Sequence, residues 1–265
     1  MPTLRHAFRV ATILGALAIA QTSLAEDDVA ELARLNRTVV TLYQQGAYRQ
    51  AEDAARQLVD LAEKTLGPDH PDVATSLSNL AGVYTQQGQY TRAEPLYKRA
   101  LAIYEKALGP DHPNVATSLN NLAGLYDSEG QYAQAEPLYK RALAIYERAL
   151  GPDHPDVASS LNNLALLYAQ QGQYAQAEPL YKRALAINEK ALGPDHPDVA
   201  RNLNNLASLY AAQGRPAIAL SLFRRSSAIY RRRIGAVGTA SAVASSAAGA
   251  WSGFSDNRTR CEEKP

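Results

Sequence analysis

One six-residue string recurs four times along the chain. The string Leu-Gly-Pro-Asp-His-Pro begins at Leu66, Leu108, Leu150 and Leu192. The four starts are evenly spaced, which gives a 42-residue period. A fixed period of this length predicts a repeat architecture, in which copies of one structural unit stack on each other. The segments 115–156 and 157–198 differ at only seven of 42 positions, so all units are expected to share one local fold.

Each unit contains two stretches with helical periodicity, separated by a glycine. Before Gly88, apolar residues fall at Val73, Leu77, Leu80, Ala81 and Tyr84; after it they fall at Tyr90, Ala93, Tyr97, Ala100, Leu101 and Tyr104. Such spacings place side chains on one face of a helix. The small alanines allow two helix axes to approach closely, which predicts an antiparallel hairpin of a helix A and a helix B. Because its core is one-sided, each hairpin must stack on the next.

The linker residues are suited to the ends of these helices. Glycine suits a left-handed residue at the end of helix B, and Pro71 suits the first turn of helix A. His70 lies between Asp69 and Asp72, so a metal or acid–base pair is one interpretation. Each linker supplies only one imidazole, which favours a histidine that caps helix A. Pro95, inside helix B, predicts a bend rather than a break.

These motifs resemble a known family. Gly88, Tyr90, Ala93 and Ala100, with the helix A pattern, resemble the tetratricopeptide signature. The 42-residue length, Asn-Asn-Leu-Ala at 120–123 and Ala-Glu-Pro-Leu-Tyr-Lys-Arg-Ala-Leu at 135–143 are similar to the kinesin light chain variety. The resemblance spans about residues 31–234. It implies an all-α fold, an α-solenoid of about five antiparallel helical hairpins in a tetratricopeptide-like superhelix.

Residues 1–25 have the pattern of a signal peptide. Arg5 and Arg9 precede an uncharged run from Val10 to Ala20, and Ser23 and Ala25 supply small residues before a cleavage site. The run is shorter than the roughly 20 residues that a membrane-spanning helix needs. We therefore expect cleavage after Ala25 and export to a bacterial periplasm or the medium, with an uncleaved membrane anchor as the alternative.

The rest of the chain is predicted to contain a repeat domain and a tail. The repeat domain is expected at 26–235, with repeats near 31–72, 73–114, 115–156, 157–198 and 199–234. The first and last repeats are degenerate, as the ends of a finite stack require. Residues 236–265 begin with an Ala/Ser/Gly-rich stretch. We expect a disordered tail there, with an Ala-rich capping helix as the alternative.

Composition argues against several classes of function. Lys+Arg number 27 and Asp+Glu 26, so there is no basic excess to bind nucleic acid. Cys261 is the single cysteine, which excludes an intramolecular disulfide and a cysteine-based zinc site. The sequence contains neither a Gly-rich phosphate loop nor a nucleophile with a plausible base. We therefore predict a protein that is not an enzyme and has no cofactor or metal.

The C-terminal end of the repeats is locally basic. Its arginines are Arg215, Arg224, Arg225, Arg231, Arg232 and Arg233. This cluster could contact an acidic partner or a membrane surface, or could simply flank the tail. Membrane contact is expected only through this end, and the oligomeric state is left open.

The predicted binding site is a polar stripe on helix A, which the resemblance places in a concave groove. A first column consists of Ser78, Asn120, Asn162 and Asn204, and a second column of Asn79, Asn121, Asn163 and Asn205. An Asn side chain both donates and accepts hydrogen bonds, so it can pair with the backbone of an extended peptide. Alternatively, these residues solvate a polar face or brace neighbouring hairpins.

Specificity is expected from the positions of the stripe that vary. Between the two most similar units, Gly124 is replaced by Leu166 and Asp127 by Ala169. The predicted peptide-binding residues are therefore Asn79, Asn120, Asn121, Asn162, Asn163, Asn204, Asn205, Gly124, Leu166 and Asp127.

The sequence thus predicts an exported scaffold that binds an extended segment of a protein or peptide partner. The alternative is a structural protein that self-assembles through its repeats and has no peptide ligand. An export signal and the lack of a long heptad segment do not fit a motor subunit.

Overall fold

The computed structural model describes residues 26–237, which form ten α-helices. They are α1 (Glu26–Gln44), α2 (Tyr48–Leu66), α3 (Pro71–Gln86), α4 (Tyr90–Leu108), α5 (Pro113–Ser128), α6 (Tyr132–Leu150), α7 (Pro155–Gln170), α8 (Tyr174–Leu192), α9 (Pro197–Ala212) and α10 (Pro216–Val237). Odd-numbered helices are helix A of a repeat and even-numbered ones are helix B. The predicted all-α class of helical hairpins is confirmed.

The chain divides into two compact units at a point within α7, between Leu167 and Tyr168. In the N-terminal unit, α1 packs on α2, α3 on α4 and α5 on α6, and successive hairpins meet through α2 with α3 and α4 with α5. In the C-terminal unit, α9 packs on both α8 and α10. Within each unit, helices that follow each other in sequence are also neighbours in space.

The core of a hairpin is built from small residues where the two helices approach. Ala81 on α3 and both Ala93 and Ala100 on α4 are fully buried. Leu77 and Tyr97 fill the space around them and are buried as well. This arrangement confirms the predicted close packing of helices A and B.

Each helix A that follows a Pro-Asp-His-Pro linker begins at a histidine cap. The Nδ1 atom of His70 accepts a hydrogen bond from the backbone N–H of Asp72 at 3.2 Å, and Pro71 occupies the first turn. His112, His154 and His196 make the same contact at 3.1–3.2 Å. The predicted capping role of the linker histidines is confirmed.

Two glycines of each repeat have different backbone conformations. Gly130, after α5, has φ +72° and forms a Schellman motif, in which Gln131 N–H donates to the carbonyl of Tyr126 at 2.8 Å. Gly109, after α4, has φ +88° and ψ +157°. That combination lies outside the left-handed helical region and is essentially restricted to glycine. The sequence predicts a left-handed helical residue here, whereas the linker is more extended.

The proline of helix B does not break the helix. Pro95 lies inside α4, and the helix continues from Tyr90 to Leu108. Pro137 and Pro179 lie at equivalent places in α6 and α8. Because each proline is near the start of its helix, only one backbone hydrogen bond of the first turns is lost.

Polar contacts link the helix B of one repeat to the next repeat. Tyr126 Oη donates to Glu94 Oε1 at 2.8 Å in the N-terminal unit, and Tyr210 makes the same contact with Glu178 at 2.9 Å in the C-terminal unit. Lys98 also pairs with Glu94 on the same helix, at 2.7 Å.

The arginine that follows this lysine instead bridges two hairpins. Arg99 pairs with Glu63 at 2.5 Å, Arg141 with Glu105 at 2.7 Å and, in the C-terminal unit, Arg225 with Glu189 at 2.5 Å. These exposed pairs are expected to contribute little energy individually but to fix the register between repeats.

Two predicted segments lie outside the described residues, namely the signal peptide at 1–25 and the tail beyond residue 237. The helix α10 ends at Val237, so residues 236 and 237, assigned to the tail from the sequence, belong to the last helix. Between residues 26 and 237 no helix is both long and apolar enough to cross a membrane.

Candidate functional site

Asn79 of the second column is engaged in a contact between hairpins. Its side-chain N–H donates to Asn36 Oδ1 at 2.8 Å. Both residues are buried, with 3% and 7% of their surfaces exposed. Asn36 belongs to α1 and Asn79 to α3, so this hydrogen bond joins the helix A of two successive repeats. It satisfies polar atoms that would otherwise be buried without a partner.

Asn120 of the first column also contacts the following repeat. Ser160 Oγ on α7 donates to Asn120 Oδ1 on α5 at 3.4 Å. Asn162, the equivalent of Asn120 one repeat later, is buried. At Asn79 and Asn120 the structure therefore shows the bracing contacts that the sequence leaves open as an alternative. Peptide binding by these residues stays a prediction.

Asn121 and Asn163 of the second column have different surroundings. They lie at equivalent positions of α5 and α7, and both are half-buried. Within residues 26–237, neither side chain has a hydrogen-bond partner. A half-buried amide that makes no internal hydrogen bond can donate to one ligand atom and accept from another. These two residues are the part of the stripe best placed to bind a backbone.

The variable positions of the stripe differ in burial. Gly124 on α5 is buried and adds no side chain, whereas Leu166 on α7 is half-buried. In the N-terminal unit, the surface beside Asn121 is therefore flat and the surface beside Asn163 is apolar.

Asp127 is a buried carboxylate at the end of α5. Only 5% of its surface is exposed, and neither carboxylate oxygen has a hydrogen-bond partner among the described residues. Burial raises the pKa of Asp127 to about 6. The neighbouring Tyr139 has a pKa raised well above its ordinary value by burial and by the Asp127 charge. The charged form of Asp127 is therefore costly in the folded chain.

Asn204 and Asn205 represent the two columns in the C-terminal unit. Both lie on α9 and are half-buried. Nearby, Ser208 Oγ donates to the backbone carbonyl of Asn204 at 3.0 Å, a contact within the helix that leaves the Asn204 amide unaffected.

Sequence reasoning missed one set of contacts at the edge of the stripe. Thr75 Oγ1 lies 2.7 Å from the hydroxyl of Tyr104, and Thr117 Oγ1 lies 2.7 Å from that of Tyr146. Both pairs have the same separation in sequence and join helix A to helix B of one hairpin. In both repeats a threonine lies 29 residues before a tyrosine. This recurrence is the sequence signal from which the contact could have been predicted.

Metal binding is not supported by the described geometry. From residue 26 to residue 237, no group of three or more His, Cys, Asp or Glu side chains could hold a metal ion. Each linker histidine accepts a backbone hydrogen bond at Nδ1, so that nitrogen is already used for structure.

Stacked two-helix units of constant length define the class of helical repeat proteins. The family model described as tetratricopeptide repeat matches residues 31–106, 72–148, 128–190 and 156–232. These matches together cover well over half of the chain, and the chain belongs to the tetratricopeptide repeat family. Members of this family are typically non-catalytic scaffolds that bind protein or peptide partners.

Solved structures show the same similarity. The putative kinesin light chain of Podosopora anserina, with nearly identical TPR-like repeats, is 30% identical over 77% of this chain and 97% of that chain, with a TM-score of 0.62. BtubC (BKLC) from P. vanneervenii is 26% identical over 82% of this chain and 86% of that chain, with a TM-score of 0.65. The predicted resemblance to the kinesin light chain variety is thus confirmed. No curated protein matches the chain.

Proposed function

We propose that this protein is an exported, non-catalytic scaffold that binds an extended segment of a partner protein along the helix A stripe. The central contacts are made by Asn121 and Asn163, and the flanking residues Gly124 and Leu166 select side chains. The proposal assigns the partner binding that is typical of tetratricopeptide repeats to one specific surface. That surface lies on α5 and α7 in the N-terminal unit.

The observation that carries the proposal is the pair of half-buried amides without partners among the described residues. In contrast, Asn79 is buried and bonded to Asn36. Asn121 and Asn163 are therefore available without breaking a contact that holds two repeats together. Each can pair with both a C=O and an N–H of a peptide backbone, which gives affinity that is independent of side-chain identity.

Export is supported by the sequence of residues 1–25. Arg5 and Arg9 precede the short apolar run, and Ser23 and Ala25 precede the cleavage point. A partner would therefore be met in a bacterial periplasm or outside the cell.

Selection of peptides from a phage-displayed random library on the purified mature chain provides the test. A selected peptide is then titrated by calorimetry against the wild-type chain and against a variant carrying Asn121→Ala and Asn163→Ala. Loss of two amide pairs, each contributing about 1 kcal/mol, is expected to weaken binding by about 10- to 30-fold.

A matched control carries Gln134→Ala and Lys140→Ala, two exposed residues of α6. Its affinity should equal that of the wild-type chain. If the Asn variant binds the peptide as tightly as this control does, the Asn pair is not the binding site.

A further inference from the structure

The glutamates that pair with the next repeat have a basic counterpart on the last helix. In three pairs, the glutamate of one helix B contacts an arginine of the helix B that follows. These pairs are Glu63 with Arg99 at 2.5 Å, Glu105 with Arg141 at 2.7 Å and, in the C-terminal unit, Glu189 with Arg225 at 2.5 Å. The equivalent of these glutamates in α10 is Arg231. The charge at the position that pairs with a following repeat is therefore reversed on α10.

Arg224 of α10 lacks the ion-pair partner that its equivalents have. The equivalents are lysines, each of which pairs with a glutamate one turn earlier on the same helix. These pairs are Lys98 with Glu94 at 2.7 Å, Lys140 with Glu136 at 2.7 Å and Lys182 with Glu178 at 2.6 Å. In α10 the glutamate is replaced by Leu220, so Arg224 cannot form this pair.

The arginines of α10 differ in whether they have a partner. Arg224 and Arg231 are exposed, and neither side chain has a hydrogen bond or ion pair with any residue whose side chain the structure describes. Their neighbours Arg225 and Arg232 are also exposed, but each pairs with a carboxylate within the C-terminal unit, at 2.5 and 2.7 Å. Arg224 and Arg231 are therefore available to an anion outside the chain.

The two available arginines share one side of α10 with Leu220. At 100° and 1.5 Å per residue, Arg231 lies about 20° around the helix from Arg224 and about 10 Å along it. Leu220 lies about 40° from Arg224 on the same side, and 49% of its surface is exposed. We call this surface, formed by Leu220, Arg224 and Arg231, the α10 face.

We propose that the α10 face binds an acidic helical segment of a partner protein. The segment presents two carboxylates about 10 Å apart, which on a helix are seven residues apart, and an apolar side chain beside them. Arginine pairs with a carboxylate through two parallel N–H···O bonds. A helix is the expected shape because the equivalent positions of other repeats contact the helices of the next hairpin. This site is separate from the helix A stripe and does not depend on it.

A second copy of this chain does not supply the required carboxylates. By equivalence with the junctions between repeats, an end-to-end stack would place Gln57 opposite Arg231. It would place Leu42 opposite both Leu220 and Arg224. The leucines would be compatible, but neither arginine would gain an anion. Charge complementarity therefore favours an acidic partner over a second copy.

An anionic membrane surface is also a poorer match. Segments that bind anionic lipids typically cluster about four to eight basic residues, and helices that lie on membranes bury a broad apolar face. The α10 face offers two unpaired arginines and a single exposed leucine. Its narrow width suits one helix of a protein better than a lipid surface.

Selection from a phage-displayed peptide library tests the proposal. Peptides are selected on the purified chain and counter-selected on a variant carrying Arg224→Gln and Arg231→Gln. The peptides that remain should be rich in Asp and Glu. In calorimetric titrations, such a peptide should bind the wild-type chain at least tenfold more tightly than this variant. Replacing the glutamates of the peptide with glutamine should weaken binding to the wild-type chain to a similar extent.

The matched control carries Arg225→Gln and Arg232→Gln. It has the same net charge as the first variant but keeps both arginines of the α10 face, so its affinity should stay within about threefold of the wild-type value. Leu220→Glu gives Arg224 the intrahelical partner of the other repeats and should weaken binding severalfold. The Asn121→Ala and Asn163→Ala variant should bind the acidic peptide as the wild-type chain does, which separates failure of this proposal from failure of the proposed function.

Several results would overturn the proposal. Selected peptides without an excess of acidic residues would do so, as would equal affinities for the two arginine variants. Binding to phosphatidylglycerol vesicles that requires Arg224 and Arg231, without any acidic peptide, would favour a membrane. Self-association in light scattering that the first variant abolishes would favour a second copy. A tenfold gain in peptide affinity on neutralising Asp256, Glu262 and Glu263 would show that the chain's own C-terminal residues occupy the face.

Discussion

The side-chain amide of Asn79 donates a 2.8 Å hydrogen bond to Asn36, and the bond joins the helix A of two successive hairpins. Replacing Asn79 with Ala would leave Asn36 Oδ1 buried without this partner. We expect Asn79→Ala to lower the free energy of unfolding by about 1–3 kcal/mol in urea denaturation. Replacing both residues should cost less than the sum of the two single losses.

The second column provides its own control for this prediction. Asn121→Ala removes an equivalent amide that has no partner among the described residues, so its effect on stability should stay within about 0.5 kcal/mol. Equal losses for Asn79→Ala and Asn121→Ala would contradict the distinction between a bracing and an available asparagine.

Asp127 should make stability depend on pH. Its pKa is about 6 in the folded chain and near its ordinary value of about 3.9 in the unfolded chain. Between these pH values the folded chain binds more protons than the unfolded chain does. The contribution of Asp127 to the free energy of unfolding therefore becomes less favourable as pH rises from about 4 to 6, and it is constant above that. At pH 7 the resulting penalty is roughly 3 kcal/mol.

Asp127→Ala tests this dependence, since Ala169 is the natural residue at the equivalent position. The variant should be more stable than the wild-type chain at pH 7, and the gain should shrink towards pH 4. Thermal or urea unfolding across this range measures the difference. If the difference in stability between the variant and the wild-type chain does not change with pH, ionisation of Asp127 does not destabilise the folded chain.

Gly109 should tolerate a side chain less well than Gly130. No atom lies within 4 Å of a Cβ built at either residue, so a clash does not decide the outcome. The conformation of Gly109, φ +88° and ψ +157°, is strained for any other residue. We expect Gly109→Ala to cost about 1–3 kcal/mol, whereas Gly130→Asn should cost less than about 1 kcal/mol. Melting temperatures of the two variants provide the comparison.

The proposed export signal predicts a defined mature N-terminus. Expression of the full-length sequence in a bacterium should yield a periplasmic protein whose intact mass corresponds to a chain that begins at Glu26. Ala25→Arg should block processing, because the cleavage site requires a small residue there. Cytoplasmic accumulation of the unprocessed wild-type chain would contradict export.

The hairpins could be predicted from sequence because their signals are local. Ala81, Ala93 and Ala100 form the predicted close approach, and His70 caps helix A as expected. These features depend on spacing within one repeat. Four near-copies of that spacing made the assignment of helices secure.

The roles of individual asparagines could not be predicted in the same way. Asn79 and Asn121 occupy equivalent positions, yet only Asn79 of the two is bonded to the preceding hairpin. Its partner Asn36 is the first-repeat equivalent of Asn120, whereas the residue in the same relation to Asn121 is Ser78, so the contact depends on which residue the preceding repeat carries. The bridge from Arg99 to Glu63 was missed for a related reason, because a pair on the same helix also fits the sequence.

The hydroxyl–carboxylate contact of Tyr126 with Glu94 has a consequence for how the number of repeats in such a chain can change. The same contact recurs between Tyr210 and Glu178, and each middle repeat, 115–156 and 157–198, carries a tyrosine at the position that contacts the repeat before it and a glutamate at the position that contacts the repeat after it. Removing or duplicating one whole repeat restores the same partners at the new junction. Recombination between near-identical coding segments can therefore lengthen or shorten the protein in whole repeats while every such junction remains intact.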